Sequence, residues 1–205
     1  MEVLCEGADT APLGMLIVVS GPSGVGKDTV VREFLKSSDN CVLSVSATTR
    51  PIRPAEVPGR DYFFLERDDF IQKAQRGEML ESAEYNGSFY GTPREAVWCE
   101  RLAGRHVILI IEVQGAMSVQ KLCPEAVLVF IKPPTVDSLR ERLLARGTDD
   151  EQSIGRRMKI AEGEIEFAKM YNYIITNDDY KMCAADLDTV IRAAAMSPRH
   201  AGVLI

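Results

Sequence analysis

Residues Ser20–Val30 read SGPSGVGKDTV, and this stretch decides what the chain builds. It approaches the pattern G-x-x-x-x-G-K-[ST]: Gly21, Gly26 and Lys27 fit, and Asp28 stands where a hydroxyl is expected. Before it, MLIVVS (Met15 to Ser20) is a short apolar, β-branched run, the pattern of a buried parallel strand. After it, KDTVVREFLK carries Val30, Val31, Phe34 and Leu35 at helical spacing. A glycine loop between strand and helix lets the backbone N–H groups from Pro22 to Lys27 point at a polyphosphate. The positive end of the helix adds to that attraction. The candidate anion-binding residues are therefore Gly21, Pro22, Ser23, Gly24, Val25, Gly26, Lys27, Asp28 and Thr29. Lys27 is placed to bridge β- and γ-phosphates. The bland alternative is a glycine-rich turn that packs a strand onto a helix; the coincidence of strand, loop, lysine and helix speaks against it.

Asp28 is the departure from the pattern. A carboxylate there sets negative charge beside the anion to be bound, yet the first turn of a helix favours Asp through the helix dipole. It is the candidate metal residue, reaching Mg²⁺ directly or through a metal-bound water. The other reading makes it a helix-start residue only. Thr29, one position on, suits an inner phosphate.

A chain of 205 residues can bury one sizeable core with a small inserted subdomain. The formal net charge of -6 argues against broad binding of nucleic acid or anionic membrane, so neither is expected as a partner. The five cysteines form no C-x-x-C pair, which suggests reduced thiols and a cytoplasmic setting. With two histidines and no Cys/His cluster, no zinc site is expected. The opening MEVLCEGADTAPLG lacks a basic leader, and residues 1–14 are read as a flexible arm before a domain of residues 15–205.

CVLSVSA reads as a second strand. Then the pattern changes. Residues 46–93 hold a Pro-, Arg- and Gly-rich stretch, strands DYFFL and MLESAEY around the helix ERDDFIQKAQRG, and a hairpin turn at Asn86-Gly87 leading into SFYGTP. This block is read as a β-rich insertion. Helix–strand alternation resumes with REAVWCERLAGR, HVILIIEV, QGAMSVQKL, AVLVFI, TVDSLRERLLARG, a long charged helix, YIITN and a closing helix. The expected fold is α/β, a mostly parallel five-stranded sheet covered by helices on both faces, built from residues 15–45 and 94–205. Ligands then belong at the carboxyl ends of the strands.

The insertion carries chemistry of its own. Arg50, Arg53 and Arg60 crowd one loop, with Tyr62 just after, a set that holds phosphate through guanidinium forks and a phenol. Glu81, Tyr90 and Thr92 follow on the hairpin. Guanine presents two adjacent N–H donors that one carboxylate accepts, while its O6 takes a donor from Ser or Thr. A dry site built on such bonds discriminates strongly. The bland reading of Glu81 is an exposed strand carboxylate.

The segments GPSGVGK, SVSATTRPIRPAEVPGRDYFF, GEMLESAEYNGSFYGTP, EVQGA, RLLARGT and IITNDD, taken together and in this order, resemble the guanylate kinases from about Met15 to Asp179. The resemblance implies a P-loop NTPase-type core, a GMP-binding insertion and a helical lid over about residues 142–160. It implies phosphoryl transfer from ATP to GMP, and also to dGMP, with Mg²⁺ accompanying ATP. It matches Ser46, Glu81 and Thr92 to guanine-reading positions, and Arg50, Arg53, Tyr62 and Tyr90 to the GMP phosphate. Glu56 matches an acid that orients the arginines, and Glu112 a position near the guanine amino group. Arg142, Arg146 and Arg157 match lid arginines that act in catalysis with Lys27 and Arg50, and Asn177 matches a residue beside the ATP base. Asp28, Ile52, Ala55, Ile110 and Glu112 depart from the family's usual residues. Two other readings remain open: a related small-metabolite kinase, such as a ribose-bisphosphate kinase, and a non-catalytic guanylate-kinase-like binding module.

Overall fold

All five residues of Leu16–Ser20 are buried, so both faces of this strand must be covered. The computed structural model describes residues 12–54, 56–85, 87–145, 151–197 and 199–200. In chain order its elements are β1 (Leu16–Ser20), α1 (Lys27–Leu35), β2 (Cys41–Leu43), β3 (Ala47–Thr48), β4 (Phe63–Phe64), α2 (Arg67–Gln75), β5 (Met79–Tyr85) and β6 (Ser88–Pro93). There follow α3 (Arg94–Leu102), β7 (His106–Ile110), α4 (Val113–Leu122), β8 (Val127–Lys132), α5 (Val136–Ala145), α6 (Glu151–Glu166), β9 (Tyr173–Thr176) and α7 (Tyr180–Ala195). A 3₁₀ turn, Phe167–Met170, leads from α6 towards β9.

The main sheet runs β2-β7-β1-β8-β9 with every neighbouring pair parallel. Side chains of β1 alternate between two apolar layers, as the two-residue period of a strand requires. Ile17 and Val19 join Val30, Val31 and Phe34 of α1 and Leu187 and Ile191 of α7. Leu16 and Val18 join Val97 of α3 and Val113, Ala116 and Val119 of α4. The expected α/β architecture is present, with the sheet parallel throughout. Among the described residues no helix is long and apolar enough to cross a membrane.

A second sheet, β4-β3-β6-β5, is mixed and small. Its hairpin pairs Tyr85 with Ser88 across the predicted turn, where Gly87 takes φ 77. Ala47, Phe70 and Met79 form its own apolar centre, and Phe70 stacks on Phe89 at 5.5 Å between ring centroids.

Three expectations need correction. CVLSVSA is not one strand: β2 belongs to the main sheet and β3 to the second, because alternating small and apolar residues say nothing about which partner they pair with. HVILIIEV stops pairing as a strand at Ile110, and Glu112 becomes the residue before α4. Cys99 is disulfide-bonded, whereas Cys41, Cys123 and Cys183 are free thiols. Thr135 caps α5, its Oγ1 accepting from Ser138 N–H at 3.1 Å. Residues 146–150, including Arg146, lie outside the described residues.

Because the second sheet has its own apolar centre, Phe70→Ala should destabilise it by about 3–5 kcal/mol. Hydrogen exchange should then show lost protection in β3, β5 and β6 with β1 and β8 nearly unchanged. Equal loss in both sheets would mean one cooperative unit.

Candidate active site

The chain leaves β1 at Ser20 and turns sharply. Gly21 has φ 147, and a Cβ there would lie 2.0 Å from the carbonyl oxygen of Ile131 on β8. Only glycine lets the backbone pass so close. Gly26, at φ 98, ends the loop as the residue before α1. The Lys27 side chain folds back under the loop, with the residue only 7% exposed. Its ammonium donates to the carbonyls of Gly21 and, more weakly at 3.4 Å, Pro22. It also lies 3.9 Å from Glu112. Asp28 and Thr29 in the first helical turn are exposed.

Three side chains brace this loop from outside. Asn177, 3% exposed, donates its amide to Val25 O at 2.7 Å. Arg142 on α5 donates to Val25 O at 3.2 Å and to Asn177 O at 2.8 Å. Arg157 on α6 donates to Ser23 Oγ at 2.8 Å. The predicted lid arginines Arg142 and Arg157 thus meet the loop itself. Asn177 packs against the loop too, a backbone-supporting contact that its match to a base-side residue did not foretell.

One residue on α6 escaped the sequence reading. Burial, and then the neighbouring Glu112 carboxylate, push Glu164 well above the carboxylate range, while Lys27 pulls the other way. A second carboxylate close by disfavours the charged form of Glu164. Nothing in EGEIE, on a helix rich in acids, marks which glutamate turns inward.

On the second sheet the Arg50 guanidinium is forked by Glu56, with contacts of 2.7 and 3.1 Å. Glu56 also accepts the Arg53 N–H at 2.8 Å, and the Arg50 hydrogen bond holds its carboxyl below the ordinary value. Arg50 lies over the Tyr62 ring, 5.4 Å from its centroid, and Tyr62 meets Tyr90 edge-on at 6.2 Å. Burial, with the charge of Asp28 next, raises the Tyr62 phenol, so the phosphate loop and the arginine loop feel each other's field. The Arg53 side chain is exposed, and Ser46 is half-buried, its carbonyl accepting Phe63 N–H at 2.9 Å.

Asp61, also missed in the sequence, shapes that loop. Its carboxylate accepts Val57 N–H at 2.9 Å and meets Arg60 and, from α1, Arg32. The Val57 N–H, then the two guanidinium groups, hold its carboxyl down at about 2. Sequence alone gave no reason to join Arg32 to Asp61, which are 29 positions apart.

Glu81 is buried, 8% exposed, so the exposed-strand reading fails. It sits opposite Thr92 in the β5–β6 ladder, and Thr92 Oγ1 donates to Glu81 Oε1 at 2.7 Å. Burial pushes its carboxyl up to about 7, against the pull of the Thr92 hydroxyl and backbone. Helix α4 touches both halves of this arrangement: Glu112, before its first turn, faces Lys27, and Gly115 packs on Glu81 Oε2.

A phosphate loop at the end of a parallel strand therefore shares one helix end with a buried carboxylate–hydroxyl pair. The sequence model of the family described as guanylate kinase matches residues 14–194. The chain belongs to the guanylate kinase family. It is 48% identical over 184 residues to a guanylate kinase of Streptococcus pneumoniae strain R6, covering 89% of this chain and 88% of that one. It is 44% identical to a guanylate kinase of Carboxydothermus hydrogenoformans, covering 91% and 92%. The crystal structure of guanylate kinase from Anaplasma phagocytophilum superposes with a TM-score of 0.78 at 34% identity, covering 93% of this chain and 90% of that one.

In the unliganded protein the Glu81 carboxyl should titrate near 7, read by carboxyl ¹³C NMR. Thr92→Val removes a hydrogen bond to the ionised form and should move the titration higher. A Glu81 that titrates in the ordinary carboxylate range would refute this burial account.

Proposed function

We propose that this protein transfers the γ-phosphoryl group of ATP to GMP, and to dGMP, releasing ADP and GDP. Membership of the guanylate kinase family supports the reaction. The buried Glu81–Thr92 pair carries the choice of acceptor, since the phosphate loop alone names none. Once ionised, Glu81 accepts the two adjacent N–H donors of guanine, with Ser46 and Thr92 contributing hydroxyls. Adenine offers no such pair and would leave the carboxylate unmet in a dry site.

Arg50, Arg53, Tyr62 and Tyr90 are assigned to the GMP phosphate. Glu56 occupies the Arg50 fork, so the GMP phosphate must share or displace it. The loop from Gly21 to Thr29 is assigned to the ATP phosphates, Lys27 to the charge between β- and γ-phosphates, and Asn177 to the nucleotide end of the same site. Arg142, Arg146 and Arg157 are assigned to the lid and to the charge spread over the transferred group.

In the step itself an oxygen of the GMP phosphate forms a bond to the γ-phosphorus as the bond to the β–γ bridging oxygen breaks, and ADP leaves. The attacking oxygen is already ionised near neutral pH, so no general base is assigned. The residues bind, align and exclude water.

The donors beside the loop fit a hard divalent cation. They are oxygens: the exposed Asp28 carboxylate, and Glu112, whose Oε2 is buried without a hydrogen-bond partner among the described residues. Mg²⁺ would be held by Asp28, directly or through a metal-bound water, and would supply positive charge against the phosphates of ATP. Glu112 is kept as a candidate for the guanine amino group, beside its contact with Lys27. The insertion, residues 46–93, is assigned to GMP, and residues 142–160 to the lid. With ATP and GMP as substrates, we place the protein in the cytoplasm.

The other two readings are not favoured. A ribose-bisphosphate offers no paired N–H donors to Glu81. A non-catalytic module has no use for Lys27 together with the arginine set.

Purified protein with Mg-ATP should make GDP from GMP, with little product from AMP, UMP or ribose bisphosphate. A rate no faster than blank would reject the activity. Glu81→Gln should reduce kcat/KM for GMP by roughly 10²–10³-fold, as loss of a buried charged hydrogen-bond pair implies. Asp28→Ser should stay active with an altered magnesium titration. Superimposable titrations would reduce Asp28 to a helix-start residue.

A further inference from the structure

Gly115 is the third residue of α4, and it is buried. Glycine there disfavours the helix relative to alanine. The next residue is Ala116, so small size alone would be met by a second alanine. The backbone makes no demand either, since Gly115 is not among the glycines with positive φ. The demand comes from across the site. A Cβ on Gly115 would lie 2.7 Å from Glu81 Oε2 and 3.3 Å from Glu81 Cδ. That is well inside ordinary contact, so something must move.

What moves follows from how each side is held. The α4 backbone is locked by its first-turn bond, Ala116 N–H to Glu112 O at 3.0 Å, and by Ala116 and Val119 in the core. Glu81 is the end of a flexible side chain, fixed by Thr92 on Oε1 and bounded by Gly115 on Oε2. The carboxylate therefore yields rather than the helix. A hydrogen-bond reader tolerates about 0.5 Å of displacement before its geometry degrades.

We propose that Gly115 is a specificity-determining positioning residue: by having no side chain, it sets where the Glu81 carboxylate stands, and so how well a purine with two adjacent N–H donors is told from one with a single donor. This rests on the assignment of Glu81 to the guanine base.

The test is steady-state kinetics of Gly115→Ala with GMP and with inosine monophosphate, which lacks the exocyclic amino group. KM for GMP should rise about tenfold or more while KM for ATP stays within about twofold. The GMP-to-inosine-monophosphate ratio of kcat/KM should fall by a similar factor. In a Glu81→Gln background the same substitution should add almost nothing, because Gly115 acts through that carboxylate. The variant should remain folded, with a melting temperature at or above that of the parent, since alanine favours the helix. The proposal is overturned by an unchanged ratio, an equal rise in both KM values, a full additional loss on top of Glu81→Gln, or loss of folding. A parent protein inactive on GMP would instead reject the function on which the proposal rests.

Discussion

An ammonium group shut away from water must find acceptors in the chain or give up its charge. Lys27 finds them in the carbonyls of the very loop it serves, and that constraint organises the region around it. For those carbonyls to turn inward, the loop must curl tightly, which demands glycine at 21 and 26. The curl leaves the Val25 carbonyl for Asn177 and Arg142, drawing β9 and α5 against the loop.

Other charged groups answer the same physical problem in two ways. Cations wait paired with carboxylates of the chain: Arg50 with Glu56, and Lys27 beside Glu112. Carboxyls are pushed toward the neutral form: Glu81 through burial, to about 7, and Glu164 through burial and the nearness of Glu112. Helix α4 unites the halves, since its first turn approaches Lys27 through Glu112 and Glu81 through Gly115. A shift of that helix end would be felt at both sites.

Periodicity made the main sheet legible. LIVVS, HVILI and VLVFIK are runs with no polar face, and only strands buried on both sides have that composition. The Asn86-Gly87 turn placed the hairpin that sets Glu81 opposite Thr92. Short strands were the weak point. Ala47–Thr48 and Phe63–Phe64 hold two residues each, too few for a period to show, and their pairing depends on neighbours distant in sequence.

The sequence by itself determined the phosphate loop and the order of the strands and helices of the main sheet, because these are local patterns written in spacing and turn chemistry. Only the tertiary structure decided which charges meet. That Glu164 crowds Glu112, that Asp61 takes Arg32, that Asn177 braces Val25, and that Gly115 limits Glu81 all depend on burial and on contacts between distant segments. A carboxylate in a sequence has no dielectric and no neighbours across the fold. Both are supplied when the sheet and its covering helices close around it.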